Sequence, residues 1–173
     1  MPDVRCAGHP FRLSSTPVVA GMTNSSPKVQ LSSFLAKYSA PVRTIARAAL
    51  RKLGTAVPGS NQLVYDNYNA LAIGFSPTER ASDAVLSIAV YPRWVSLFFL
   101  QAVGLPDPAR LLKGSSKKVR HIVLSTASDL DRPEIQALIT TALLRATVPF
   151  TPAARSRLVI KSISAKQRPR RPT

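Results

Sequence analysis

The chain has little of what most catalytic centres are built from. Its 173 residues hold one cysteine, Cys6, and two histidines, His9 and His121. A lone cysteine closes no internal disulfide, so a reducing, cytoplasmic setting is the expectation. Zinc takes three or four Cys, His or acidic ligands. No such grouping is visible, and neither a metal nor a cofactor is expected. A nucleophilic site needs a base held beside its serine or cysteine. Cys6 and His9 fall in an irregular leader, and His121 sits in an apolar, strand-like run where a satisfied sheet histidine is expected. Asp66 and Asp83 are the only candidates considered for a glycosidase-like carboxylate pair, and nothing in the sequence brings them together. No catalytic residue is assigned, and the chain is not read as an enzyme.

Long apolar runs are absent too. The most apolar stretch, residues 95–104, includes Ser96 and Gln101. It is about half of the roughly 20 residues that a membrane span needs. A secretory leader needs a basic start and an unbroken apolar centre. Here Asp3 stands at the start and Pro17 breaks the only apolar patch. No membrane partner is expected.

Acids are scarce: eight, against 24 lysines and arginines, leaving a formal net charge of +16. The excess is unevenly placed. Residues 149–173 hold seven basic residues and no acid. They are Arg155, Arg157, Lys161, Lys166, Arg168, Arg170 and Arg171. Such a run can neutralise phosphates without reading sequence, so nucleic acid is the alternative partner. The same run is proline-broken and reads as a disordered tail, although "RLVIKSIS" within it fits a short strand or helix. Residues 1–27 read as a disordered leader, with Met22 as a candidate start.

Between these ends, residues 28–148 read as one domain. "APVRTIARAALRKLG" places Val42, Ile45, Ala46, Ala49, Leu50 and Leu53 on one helical stripe, with Arg43, Arg47 and Arg51 opposite. Ser39 is the expected N-cap, and Gly54 the expected end. The period then changes to two. "QLVYDNY", "ALAIGFS", "AVLSIAVY", "RWVSLFFL" and "VRHIVLS" read as five strands with short connections, which pair antiparallel. A closing helix follows in "SDLDRPEIQALITTALLRA", with Asp131 as N-cap and Glu134 at capping-box spacing. The expected fold is α+β: a five-stranded antiparallel sheet packed by an N-terminal and a C-terminal helix, with disordered ends.

The stretch "LLKGSSKKVRHIVL" raises the question of a phosphate loop. Such a loop reads GxxxxGK[ST] and opens a helix. This one has a single glycine and leads into a strand, so it reads as a cationic turn.

The segment order, with "LVYDNYNALAIGFSP", "AVLSIAVYPRWVSLFFLQ" and "LPDPARLLKGSSKKVRHIVL", resembles the YdhG-like family, domain of unknown function 1801, over residues 30–146. That resemblance implies a frataxin-like architecture, and for some members an intracellular iron-chaperone role. Hard cations prefer oxygen ligands. The chain departs from that role: only Asp129, Asp131 and Glu134 lie close together, and helix capping accounts for at least two of them.

If helices cover one face of the sheet, the other is left open. Trp94, Ser96, Phe98 and Leu100 share a face of the fourth strand. Open apolar surface marks a ligand cleft or partner interface. The reading is therefore a binding module for a small molecule or a protein partner, with Tyr65, Asp66, Tyr68, Arg93 and Trp94 at its site.

Overall fold

The computed structural model describes residues 25–172. The readings of Cys6, His9, the leader and Met22 lie outside them. Three helices, α1 (Pro27–Ala36), α2 (Ala40–Ala56) and α3 (Pro133–Leu144), accompany six strands. The strands are β1 (Asn61–Asp66), β2 (Leu71–Ser76), β3 (Leu86–Val90), β4 (Val95–Phe99), β5 (Arg120–Leu124) and β6 (Leu158–Ile163). They form one mixed sheet in the order β5-β4-β3-β2-β1-β6. No helix among the described residues is long and apolar enough to cross a membrane.

Strands β1 to β5 pair antiparallel with their sequence neighbours. The five-stranded expectation is corrected by β6, which lies parallel to β1. Short turns can only reverse a strand, and a parallel pair needs a long crossover. Here α3 carries the chain from one edge of the sheet to the other, so β6 runs in the direction of β5, and hence of β1. The segment read as a disordered tail thus supplies an edge strand. Leu158 and Ile160 pack against the core.

Alternation along the strands sorts side chains by size. Val64, Leu71, Ile73, Phe75, Leu86, Ile88, Val90, Val95, Leu97, Phe99, Ile122 and Leu124 form one buried cluster with the helices. The helices contribute Phe34 and Leu35 from α1, Ala46, Leu50 and Leu53 from α2, and Ile135, Leu138 and Ile139 from α3. Leucine- and isoleucine-sized side chains bury about 1.5–3 kcal/mol each, so this face holds the helices. Ala72, Gly74, Ser87, Ala89 and Ser96 point the other way and offer little to a packing helix.

Two cap expectations are corrected. Gly54 lies inside α2, which ends at Ala56. Helix α3 starts at Pro133 with Arg132 in the cap position and no side-chain cap. The capping box sits one turn earlier, where Thr126 and Asp129 close a 3₁₀ turn, Ala127–Asp131. Asp131 instead meets Lys52 Nζ at 2.6 Å. The acids that read as one capping pattern therefore serve different elements: Asp129 holds the Ser125 and Thr126 N–H groups, and Asp131 holds Lys52.

The loop before β5 is a turn. Ser116 Oγ accepts from the backbone N–H groups of Lys118 and Val119, at 3.2 and 3.1 Å. Lys113 and His121 exchange backbone hydrogen bonds at 2.8 and 3.0 Å. No helix follows to hold an anion.

Candidate functional site

The β1–β2 and β3–β4 turns stand at the same end of the sheet. In the first, Asn67 N–H donates to the Ala70 carbonyl at 3.0 Å, which puts Tyr68 at the tip, 51 % exposed. In the second, Tyr91 N–H donates to the Trp94 carbonyl at 2.9 Å, with Pro92 and Arg93 between. The Tyr91 and Trp94 rings stack, 4.9 Å between centroids, and Trp94 remains 44 % exposed. Proline at this turn fixes its backbone, and the ring pair braces the strands as they leave it.

Between and below these turns lies a cleft of ≈ 1030 Å³ on the sheet face without helices. Ala72, Ser87 and Ala89 make its floor, and Phe98, Leu100 and Val119 line the far end. The cleft exists because three adjacent strands place small side chains together while their neighbours are aromatic. Phe98 stacks on His121 with centroids 5.1 Å apart. The final residues of the chain form the remaining wall: Arg168, Pro169, Arg171 and Pro172. Among the described residues the lining includes three arginines, Arg93, Arg168 and Arg171, and no carboxylate, histidine or cysteine.

Of the five expected site residues, Tyr68, Arg93 and Trp94 line this cleft. Tyr65 and Asp66 do not. Tyr65 pairs with Ala72 across the hairpin, but its hydroxyl is buried without a partner, and burial pushes its pKa up. Asp66 faces the helices. Its side chain is 1 % exposed and is gripped by Lys37 Nζ and Arg170 Nη2, each at 2.9 Å. Strand alternation sends neighbours to opposite faces, so Asp66 and Trp94 never belonged to one surface.

That ion pair explains the cleft's last wall. Arg170 also donates to the carbonyls of Asn67 and Tyr68 and lies over the Tyr38 ring. Arg168 N–H donates to the Tyr68 carbonyl at 3.0 Å. With Arg170 pinned inward, Arg168 and Arg171 are left on either side of it, at the mouth of the cleft.

The rest of the basic tail is divided. Arg157 meets Glu79 at 2.8 Å, and Lys161 donates to the Glu79 carbonyl. Arg155 and Lys166 are exposed. Arg170 is withdrawn from solvent, which corrects its assignment to a nucleic-acid surface. Two arginines of the α2 stripe, Arg47 and Arg51, line a second cavity of ≈ 660 Å³ with Lys28, Leu31, Arg157 and Leu158.

The acids considered for iron each have local partners. Asp129 accepts from the Ser125 and Thr126 N–H groups at 2.7 and 3.0 Å. Asp131 holds Lys52, and Glu134 lies 3.7 Å from Arg132. Among the described residues no group of three or more His, Cys, Asp or Glu is placed to hold a metal ion. Asp66 and Asp83 sit at opposite ends of the β1–β2 hairpin. Thr78 and Ser82 hydroxyls donate to Asp83 and, with Thr78 the larger effect, hold its pKa below the usual value.

Tyr91, Phe98, Ala72, Ser87 and Ala89 are cleft residues that the sequence reading did not assign. The signal available was the coincidence of small residues at alternate positions in consecutive strands. It becomes legible only once the strand register is known. No family model matches the chain, and neither the curated proteins nor the solved structures contain a match.

Proposed function

We propose that this chain is a binding module whose ligand occupies the open face of the sheet, and that it is not an enzyme. The ligand is anionic and carries a flat apolar part. The carrying observation is the cleft itself: a floor of small side chains, a stacked Tyr91–Trp94 rim and three arginines without an acid among them. Aromatic faces take flat apolar groups, and arginine forks take carboxylates, sulfonates and phosphates. A YdhG-like kinship and a cytoplasmic setting belong to the same proposal. They draw support from the antiparallel β1–β5 order and from the single cysteine.

The test uses anilinonaphthalene sulfonate, a flat apolar anion, with amide shifts recorded by NMR. Shifts concentrated on Ala72, Ser87, Ala89 and Trp94, and weaker binding by Arg93→Ala, are expected. Shifts confined to the helical side would sink the proposal.

A further inference from the structure

The proposed site leaves open what kind of anion reaches it. Two features of the same face extend beyond a small-molecule pocket. First, the face carries two aromatic platforms, Tyr91–Trp94 and Phe98–His121. Trp94 and Phe98 stand four residues apart along one strand and share a face. At about 3.3 Å per residue the platforms are roughly 13 Å apart. Second, positive charge gathers in the same cleft, towards the Trp94 platform. Arg93 belongs to the turn that carries Trp94, and Arg168 and Arg171 flank the same cleft. The whole chain carries +16.

We infer that the open sheet face binds single-stranded nucleic acid, with bases stacked on Trp94 and Phe98 and phosphates held by Arg93, Arg168 and Arg171. The inference rests on the binding site proposed above. Every base has an aromatic face, so stacking on exposed rings accepts any sequence, at about 1–3 kcal/mol per base. A duplex does not fit. Its bases rise about 3.4 Å per nucleotide and stay stacked on each other. Bases lying on two platforms 13 Å apart must be splayed from their neighbours, which only an unpaired strand permits. The absence of acids from the lining lets phosphates approach all three guanidinium groups. Arg171 donates to the Ala36 carbonyl at 3.4 Å, a long bond that a phosphate would readily replace.

Trp94 is the chain's only tryptophan, so its fluorescence reports this site directly. The full chain is titrated at low salt with a 12-mer of oligo-uridylate, a 12-mer of oligo-thymidylate, the matching mononucleotides and a 12-base-pair duplex. Saturable quenching by one or both 12-mers is expected, at least about tenfold tighter than by mononucleotide or duplex. The better 12-mer shows whether the 2′-hydroxyl is read. Three arginines on phosphates predict a log–log salt slope near −2, at about −0.7 per phosphate on a single strand. Variants are read by anisotropy of a fluorescein-labelled 12-mer. Trp94→Ala, at an exposed turn, is expected to weaken binding about tenfold. Arg93→Ala keeps the tryptophan and is expected to flatten the slope by about 0.7.

Equal affinity for duplex and single strand overturns the inference. So does a mononucleotide that binds as tightly as the 12-mer, or strand binding that leaves Trp94 fluorescence unchanged. No binding of any strand overturns it as well. If anilinonaphthalene sulfonate still occupies the cleft in those cases, only the nucleic-acid reading fails. If the sulfonate does not bind either, the site itself is refuted.

Discussion

Arg170 Nη2 donates to Asp66 Oδ1 at 2.9 Å, joining residues 104 positions apart with both side chains almost wholly buried. One end of this bond closes β1, and the other ties down the last turn of the chain. The bond converts what reads as a loose basic tail into a wall of the cleft. It also makes the fold dependent on one carboxylate.

Removing one partner of a buried pair strands the other charge, at about 3–5 kcal/mol. Asp66→Ala is expected to lower stability by that order, measured by urea unfolding. Lys37, at 38 % exposure, can turn to water, so Lys37→Ala should cost well under half as much. Arg170→Ala should also speed amide exchange at Ser164 and Arg168, whose N–H groups bond to the Asp66 and Tyr68 carbonyls. Equal stability of Asp66→Ala and wild type would show that the pair is not a structural anchor.

Tyr38 is fully buried, and its hydroxyl bridges two strands. It donates to the Val90 carbonyl at 2.9 Å and accepts from Leu71 N–H at 3.0 Å. Tyr38→Phe leaves both backbone groups unpaired and is expected to cost about 1–3 kcal/mol. Thermal melts of the two forms check this.

The same residue sets an alkaline limit. Burial pushes the Tyr38 pKa up from 10.0 to about 12. A group whose folded pKa lies above its unfolded one stabilises the fold fully below pH 10 and loses that contribution as pH rises towards 12. Absorbance at 295 nm should show a tyrosine step near pH 12 that is lost in Tyr38→Phe, distinct from that of Tyr65, which burial also raises. The fall in stability between pH 10 and 12 should be shallower in Tyr38→Phe.

Gly59 has φ +75°, and a Cβ there would run into the Thr151 carbonyl oxygen. Gly59→Ala therefore meets backbone that cannot yield cheaply, besides about 1–2 kcal/mol for the left-handed conformation. Denaturant unfolding should show a loss above 2 kcal/mol. A loss under 0.5 kcal/mol would mean that the approach to Thr151 is not maintained in solution.

Filling the cleft separates binding from folding. Ala72 lies on its floor and is half-buried. Ala72→Phe is expected to abolish anilinonaphthalene sulfonate binding while moving stability by less than about 1 kcal/mol. Retained binding would put the ligand elsewhere.

The one-dimensional pattern was informative where the physics is local. Alternation in residues 62–76 and 84–100 marked β1 to β4. The helical stripe of α2 and the run in α3 marked the elements that must be buried. Short connections dictated antiparallel pairing. Tyr68, Arg93 and Trp94 were legible because polar and aromatic residues beside a turn have few ways to be buried.

Asp66 misled, because a carboxylate beside two tyrosines looks like a site. Whether it faces the cleft or the helices depends on the parity of its strand position relative to Trp94, and so on register. Within residues 149–173 "RLVIKSIS" fitted a short strand or helix, but its place parallel to β1 was not legible, since a parallel pairing depends on a long crossover and not on local pattern.

The sequence by itself therefore determined five of the strands, the helices before and after them, their order along the chain and the scarcity of catalytic groups, each a property of neighbours along the chain. Tertiary structure alone decided that β6 joins β1, that Arg170 reaches Asp66, and that the small residues of three strands fall side by side to make a cleft. Those outcomes depend on which distant segments meet, and burial of the shared core, rather than any local preference, selects that.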